Sequence, residues 1–301
     1  MPGIEALPWR GPGDGRPDDL PLPPGKMPLR YKGVNRKRWR YLGAFSDEVM
    51  VCAARVSVGP VSQTFWAIWD RVEQELAERT VMRLPGARGE VWSEDAEGAP
   101  VENAPDEGSV IRVEATHPEA AVRGFLRTGG GEWAECVCSN GNGGFVWTRK
   151  RVVPVEIDLR LGDRRIRCTA RGVEDESAGY HPKHTVWSWS AGVGTLVDGR
   201  EVGWNLVEGV NDPPERSERA IWVDGKPFEP GPVTFGGLES VAFDEGSGLV
   251  CTAEAERSRV EKRGPISYSY RQPFGTFTGS LPGGLDLAGG MGVMESHDAT
   301  W

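Results

Sequence analysis

The sequence predicts an all-β chain of two consecutive antiparallel barrels with little helix, and three observations carry that prediction. Short segments that alternate apolar with polar residues recur along nearly the whole chain. Gly and Pro, 41 and 23 of 301 residues, punctuate those segments as turn formers. The length exceeds one average domain and suits two barrels of about 120 to 150 residues each.

Residues 1–29 hold eight Pro and five Gly, a composition that cannot build a regular element and predicts an extended arm. RYKGVNRKRWRYLGAF, VMVCAARVSV after the Ser46-Asp47 turn, and SQTFWAIWD then read as an antiparallel meander. The stretch 71–82, RVEQELAERTVM, is expected to form one short helix, and the Gly-, Glu- and Pro-rich stretch 86–108 a long exposed loop. Strands follow at VIRVEA, AAVRGFLR, EWAECVC and FVWT. The basic TRKR run then marks a boundary, giving an N-terminal barrel over 30–150 and a C-terminal barrel, with the candidate pocket, over 151–301.

The second block opens on VVPVEIDLRL, in which Val153, Val155, Ile157, Leu159 and Leu161 share one face. A Gly162-Asp163 turn leads into RRIRCTARG and closes a hairpin. Asp224-Gly225, a favoured type I′ pair, joins AIWV to the next strand. LVCTAEA, ISYSYRQPFGTFTGSL and a Gly-rich C-terminal segment complete the pattern.

Composition excludes several function classes. A net charge of −9 and a pI near 5.2 argue against nucleic acid or an anionic membrane as partner. No basic segment leads into an apolar run and no stretch approaches about 18 consecutive apolar residues, so no membrane span and a cytoplasmic location are expected. Five Cys form no disulfide framework, and the Cys136-x-Cys138 pair lacks the partners of a structural zinc site. Nucleophile-elbow, phosphate-loop and dinucleotide motifs are absent, so neither metal nor cofactor is expected.

Chemistry concentrates between Asp175 and Asp212, where His, Trp, Asn and carboxylates occupy strand-like sequence. A half-buried strand ordinarily spends its inward positions on aliphatics, so this pattern predicts a lined cavity. Parity sets Trp187 and Trp189 on one face as an indole wall. Trp204 and Glu208 share a face of the partner strand, with Asn205 on the other. Glu208 on an apolar face is a candidate proton donor through desolvation, or else a strand end reaching water. Asp175, Glu176, Tyr180, His181 and His184 precede the wall and can supply acid, base and orienting groups; for each His a plain structural role stands beside the catalytic one. Glu295, His297 and Asp298 near the C-terminus are candidates to join the same site.

Six segments carry a family resemblance: KRWRYLG, HTVWSWSAG, GWNLVEGVND, SERAIWVDGKPFEPGPVTF with Glu218, QPFGTFTGSLPGG and GVMESHDATW. Through them the chain resembles, over nearly everything after residue 28, the bacterial family called domain of unknown function 2804. Through CTARGVEDESAGYHPKHTVWSWSAGVGTLVDG it is more remotely similar to the two-barrel lipocalin-like (calycin) group of carotenoid hydratases, tocopherol cyclases and Diels-Alderase-type proteins. That resemblance implies lipocalin-like barrels and an Asp, often followed by His, doing acid-base work on an apolar substrate. Asp175 occupies the acid position; Glu176 follows it, and the first histidine after it is His181.

Three readings follow. The chain binds a lipophilic small molecule through Trp187, Trp189, Trp204, Asn205 and Tyr180. Alternatively it is a cofactor-free hydratase, cyclase or isomerase using Asp175, His181, His184 and Glu208. On the third reading the Trp and Asn residues fix barrel closure, and Glu218 and Glu295 pair with Arg residues to hold the barrels together.

Overall fold

The computed structural model describes residues 4–13, 15–83, 89–117, 120–141, 143–263 and 266–300. Apart from one 3-10 turn at Ile4–Ala6, the regular elements are strands. In chain order they are β1 Trp9–Arg10, β2 Arg30–Tyr31, β3 Val34–Asn35, β4 Lys37–Phe45, β5 Val49–Val58, β6 Val61–Asp70, β7 Glu75–Arg83, β8 Val91–Glu94, β9 Val110–His117, β10 Ala120–Thr128 and β11 Ala134–Ser139. Then come β12 Phe145–Leu161, β13 Arg164–Gly179, β14 His184–Leu196, β15 Glu201–Glu208, β16 Ala220–Val223, β17 Lys226–Phe228, β18 Val233–Gly236, β19 Ser240–Phe243, β20 Gly248–Arg263, β21 Ile266–Leu281 and β22 Leu285–Thr300.

Two large antiparallel sheets take these strands, except β2 and β3, which pair only with each other. The first runs β7-β6-β5-β4-β13-β12-β10-β9-β8, with β11 and β1 attached beside β12. The second runs β17-β16-β15-β14-β22-β21-β20-β19-β18. Each curls into a lipocalin-like barrel whose free edges are tied by side chains. In the first, Glu90 bridges the seam: its backbone N–H donates to Thr64 Oγ1 (3.1 Å) and its carboxylate accepts from Trp66 Nε1 (3.0 Å). In the second, the backbone N–H of Phe235 donates to Glu208 Oε2 (3.0 Å), joining β18 to β15.

Three large apolar clusters result. Leu42, Val51, Trp66, Ile111, Leu126, Ile157 and neighbours fill the first barrel. Trp204, Leu206, Ile221, Phe243, Phe277 and neighbours fill the second. The third cluster, with Tyr41, Phe45, Trp69, Val173, Trp189, Val207 and Phe274, lies between the barrels, because β4, β5, β13, β14 and β15 turn their outer faces toward one another. These strands are therefore apolar on both faces, so simple alternation understates them.

Local chemistry explains the connections. Asp224 and Gly225 both have positive φ (46° and 78°), as a type I′ hairpin requires. The stretch expected as a helix at 71–82 is instead a tight turn followed by β7. Asp70 Oδ1 accepts from the backbone N–H groups of Val72 and Glu73 (both 3.1 Å), Gln74 takes a positive φ of 58°, and β7 pairs with β6 from Asp70↔Glu75 to Ser62↔Arg83. Cross-strand pairing and burial of Leu76 and Ala77 against two different cores outweigh local helix propensity.

The Pro-rich arm packs rather than trails. β1 pairs with β11, and Trp9, Leu22 and Met27 are buried against Val137, Phe145, Trp147 and Tyr180. β12 runs unbroken through residues 150/151, where the sequence divides the chain, and the change of sheet falls between Gly179 and His184. Among the described residues no helix is long and apolar enough to cross a membrane.

Candidate functional site

A cavity of about 140 Å3 opens between the two barrels. Trp39, Tyr41 and Phe65 of the first barrel and Trp187, Trp189 and Tyr270 of the second give it aromatic walls. Tyr41 meets Trp189 edge to face, with ring centroids 5.3 Å apart. Two polar groupings interrupt this apolar lining.

The first grouping stands on the β12–β13 ribbon. Lys150 Nζ lies 2.5 Å from Asp175 Oδ1 and 3.5 Å from Glu218 Oε1, so a single ammonium serves two carboxylates. Asp175 also accepts from Trp39 Nε1 (3.2 Å), and Glu218 accepts from Asn211 Nδ2 (2.9 Å). Burial would lower the Lys150 pKa, but the attraction of Asp175 and Glu218 overcomes it and raises it. Burial, with repulsion from Asp175, raises the Glu218 pKa against the opposing pull of Lys150. Asp175 takes the direct ion pair.

His181 sits beside this trio, 2% exposed, with its ring against that of Trp39 at 5.0 Å between centroids. Desolvation, then the charges of Lys37 and Lys150, push its pKa down to about 3, and the ring is neutral at physiological pH. Among the described residues neither ring nitrogen makes a hydrogen bond of good geometry, although the Gly179 backbone lies close enough to favour the charged form. The Tyr41 hydroxyl is likewise buried without a partner among the described residues. Unpaired buried polar atoms at a cavity wall are the ones a ligand can satisfy.

The second grouping stands on β20, β21 and β22. Glu295 accepts from Trp187 Nε1 (3.0 Å) and Gln272 Nε2 (2.6 Å), and its Oε1 lies 3.3 Å from His297 Nδ1. His297 stacks on Trp187 at 4.0 Å between centroids. Behind them the buried Arg257 donates to Gln272 Oε1 (3.2 Å) and the Tyr270 hydroxyl (2.7 Å) and lies over the Phe65 ring. Among the described residues no three His, Cys, Asp or Glu side chains are grouped so as to hold a metal ion.

The residues singled out in the sequence separate as follows. Asp175, His181, Trp187 and Trp189 line the cavity, with Glu295 and His297. Asn205 lies one step behind, accepting from Trp189 Nε1 (2.8 Å) and donating to the Glu218 carbonyl (3.0 Å). Trp204 faces the opposite way into the second barrel, its Nε1 on Ser190 Oγ (3.1 Å) and its ring edge-to-face with Phe277. Glu208 spends its carboxylate on the barrel seam. Glu176 faces the first barrel, accepting from Arg149 Nε (2.7 Å). Tyr180 belongs to the cluster under the N-terminal arm, donating to the Pro28 carbonyl (2.8 Å). His184 is exposed and pairs with Asp298 at 2.8 Å.

Reading the sequence residue by residue missed Lys150 as a site residue and gave Glu218 only a structural pairing, yet the signal was available. Continuing the Gly162-Asp163 hairpin by its own register sets Arg149, Lys150 and Arg151 opposite Glu176, Asp175 and Glu174. The TRKR run is thus half of a charged ladder. Nothing local in the sequence brings Glu218 to that ladder, because it arrives from the other barrel.

Comparisons with known proteins agree with this architecture. A family model described as domain of unknown function (DUF2804) matches residues 135–301. No curated protein matches the sequence. Among solved structures, kievitone hydratase from Nectria haematococca is similar with a TM-score of 0.52 at 8% identity, covering 88% of each chain. CghA in complex with Sch210972 is similar with a TM-score of 0.47 at 10% identity, covering 97% of this chain and 98% of that one. At these identities the likeness concerns the fold alone, and the sequence match supplies the family: the chain belongs to the DUF2804 family.

Proposed function

We propose that this chain binds a lipophilic small molecule in the cavity between its barrels and transfers a proton to or from it without a cofactor. The observation that carries this reading is Lys150 shared by Asp175 and Glu218 within an aromatic wall. Two carboxylates beside one ammonium leave one negative charge in surplus, and burial with repulsion from Asp175 raises the Glu218 pKa, which makes Glu218 the acid of this reading. In this reading Glu218 donates to an alkene or carbonyl carbon skeleton, and Asp175 and the faces of Trp39 and Trp187 stabilise developing positive charge. His297, backed by Glu295, receives the balancing proton on the opposite wall. Neutral His181 and the Tyr41 hydroxyl supply hydrogen bonds for a substrate oxygen.

Size supports a ring-bearing ligand. An apolar cavity of about 150 Å3 accepts a benzene-sized molecule, and the cavity here is about 140 Å3. The fold likeness to a hydratase agrees with addition of water or isomerisation, though it assigns neither. Binding without turnover is the second reading, and the low basicity of His181 favours it.

The test is native mass spectrometry of protein incubated with an apolar extract of its source cells, followed by identification of retained and newly formed compounds. Wild type should retain a compound that Trp187→Ala loses, and Glu218→Gln should retain it unconverted. Retention with identical products from wild type and Glu218→Gln leaves binding alone, and no retained compound in any of them sinks both readings.

A further inference from the structure

The first barrel carries a second polar site, beside β4, β5 and β8, that shares no residue with the inter-barrel cavity. A water-sized cavity of about 30 Å3 is lined there by Arg38, Arg40 and Arg55 together with Ser57, Ser93, Val101 and Glu102, the last paired with Arg38. Strand register sets Arg40 directly opposite Arg55, and Arg38 opposite Ser57. Like charges directly opposite one another on antiparallel strands repel, so a negative charge between the buried Arg40 and the exposed Arg55 would stabilise this pairing.

The neighbouring carboxylates do not complete that compensation. Arg40, 7% exposed, donates through Nη2 to Ser109 Oγ (2.5 Å) and Glu174 Oε1 (3.1 Å). Its Nε and Nη1 are buried without a hydrogen-bond partner among the described residues, the Glu176 carboxylate standing 3.7 Å from Nε. Glu174 and Glu176 are meanwhile committed to Arg151 and Arg149 at 2.6 and 2.7 Å. Arg38 takes Glu102 at 2.8 Å, and Arg149 has Asp106 at 4.0 Å. Among the described residues Arg55 has no carboxylate within ion-pair distance. The network therefore holds five guanidiniums, Arg38, Arg40, Arg55, Arg149 and Arg151, against four carboxylates.

We propose that this small cavity of the first barrel binds a small monoanion, chloride or a compact carboxylate such as formate, between Arg40 and Arg55. One negative charge matches the excess of one guanidinium, and the two orphaned Arg40 nitrogens are the donors a planar guanidinium presents to such an anion. The site stands independently of any reaction in the inter-barrel cavity.

Thermal unfolding of the full chain at constant ionic strength tests this, with sodium gluconate, a carboxylate whose polyol chain is too bulky for a cavity of about 30 Å3, replaced stepwise by sodium chloride or sodium formate. A saturable rise in Tm with chloride or formate, absent in gluconate, is expected, because an anion bound only by the folded state stabilises it by mass action. Response to formate identifies a carboxylate site, response to chloride alone a halide site. Arg55→Gln should raise the half-saturating concentration by at least roughly tenfold, while Arg123→Gln, an exposed charge elsewhere on the barrel, should leave it unchanged. Bromide-soaked crystals read by anomalous scattering should show a peak beside the Arg40 guanidinium. Equal Tm values in all three salts, or Arg55→Gln titrating as wild type, would overturn the proposal.

Discussion

The two faces of the β12–β13 ribbon carry the same kinds of charge and put them to different uses. Arg149–Glu176 and Arg151–Glu174 face the first barrel at 2.7 and 2.6 Å, while Lys150–Asp175 between them faces the cavity at 2.5 Å. On the barrel face each guanidinium spends its remaining donors on carbonyls of Ala104, Pro105 and Asp106 and stacks on Trp133, so the pairs are closed. On the cavity face the cation is a lysine, a compact charge without a fork, and Glu218 from the second barrel adds an acid that it cannot fully neutralise. Guanidiniums held by carbonyls and an indole make a strut; a lysine beside one acid in surplus is what the proposed proton transfer uses.

The largest expected effects test that contrast at its centre. Glu174→Gln removes the partner of the buried Arg40 and Arg151 guanidiniums and should destabilise by about 3–5 kcal/mol at pH 7. Glu218→Gln should be neutral or stabilising at the same pH. The sign follows from the raised pKa of Glu218: folding favours its protonated form, so that contribution is full below the ordinary carboxylate pKa and is lost as pH rises through the folded value. The glutamine variant lacks that loss. Urea unfolding at pH 5 and pH 7 measures both, and equal destabilisation by the two substitutions would break the comparison.

The division by face recurs one sheet away. Trp204 fills the second barrel and Trp187 lines the cavity. Trp204→Ala should cost about 3–5 kcal/mol as a core truncation. Trp187→Ala should cost less than half as much, because it enlarges a space already present, and should instead abolish ligand retention. Denaturation midpoints together with Trp-fluorescence titration by apolar compounds separate the two outcomes.

How legible this was depended on whether the signal was local. The VVPVEIDLRL alternation, the Gly162-Asp163 turn and the Asp224-Gly225 turn are each written within a few residues, and the all-β class followed from them. β7 was misread because Leu76 and Ala77 pack against different cores, and no window of sequence contains either core. Within the site, parity put Trp187 and Trp189 together correctly, but it says nothing about which face meets the other barrel. Trp204 and Glu208 therefore looked as eligible as the wall residues until the second barrel's interior claimed the first and its seam the second. Lys150 was legible by extending the hairpin register; Glu218 depended on how the barrels dock.

The smallest of these effects concerns the cavity face alone. His181 and His184 are three residues apart, one buried beside Lys150 and the other 60% exposed in its side chain. The His181 pKa is pushed down to about 3 from an ordinary 6.5, so folding favours the neutral ring. Its contribution is full above pH 6.5 and is lost progressively as pH falls toward 3, because the unfolded chain takes up the proton first. His181→Leu should therefore flatten the acid limb of the stability curve, narrowing the loss between pH 7 and pH 5 by about 2 kcal/mol, whereas His184→Leu should leave that limb in place. Equal acid limbs in wild type and His181→Leu would mean that water reaches the ring and shares its charge. The cavity would then be wet where the proposed chemistry needs it dry, and Glu218 would lose the desolvation that holds its proton.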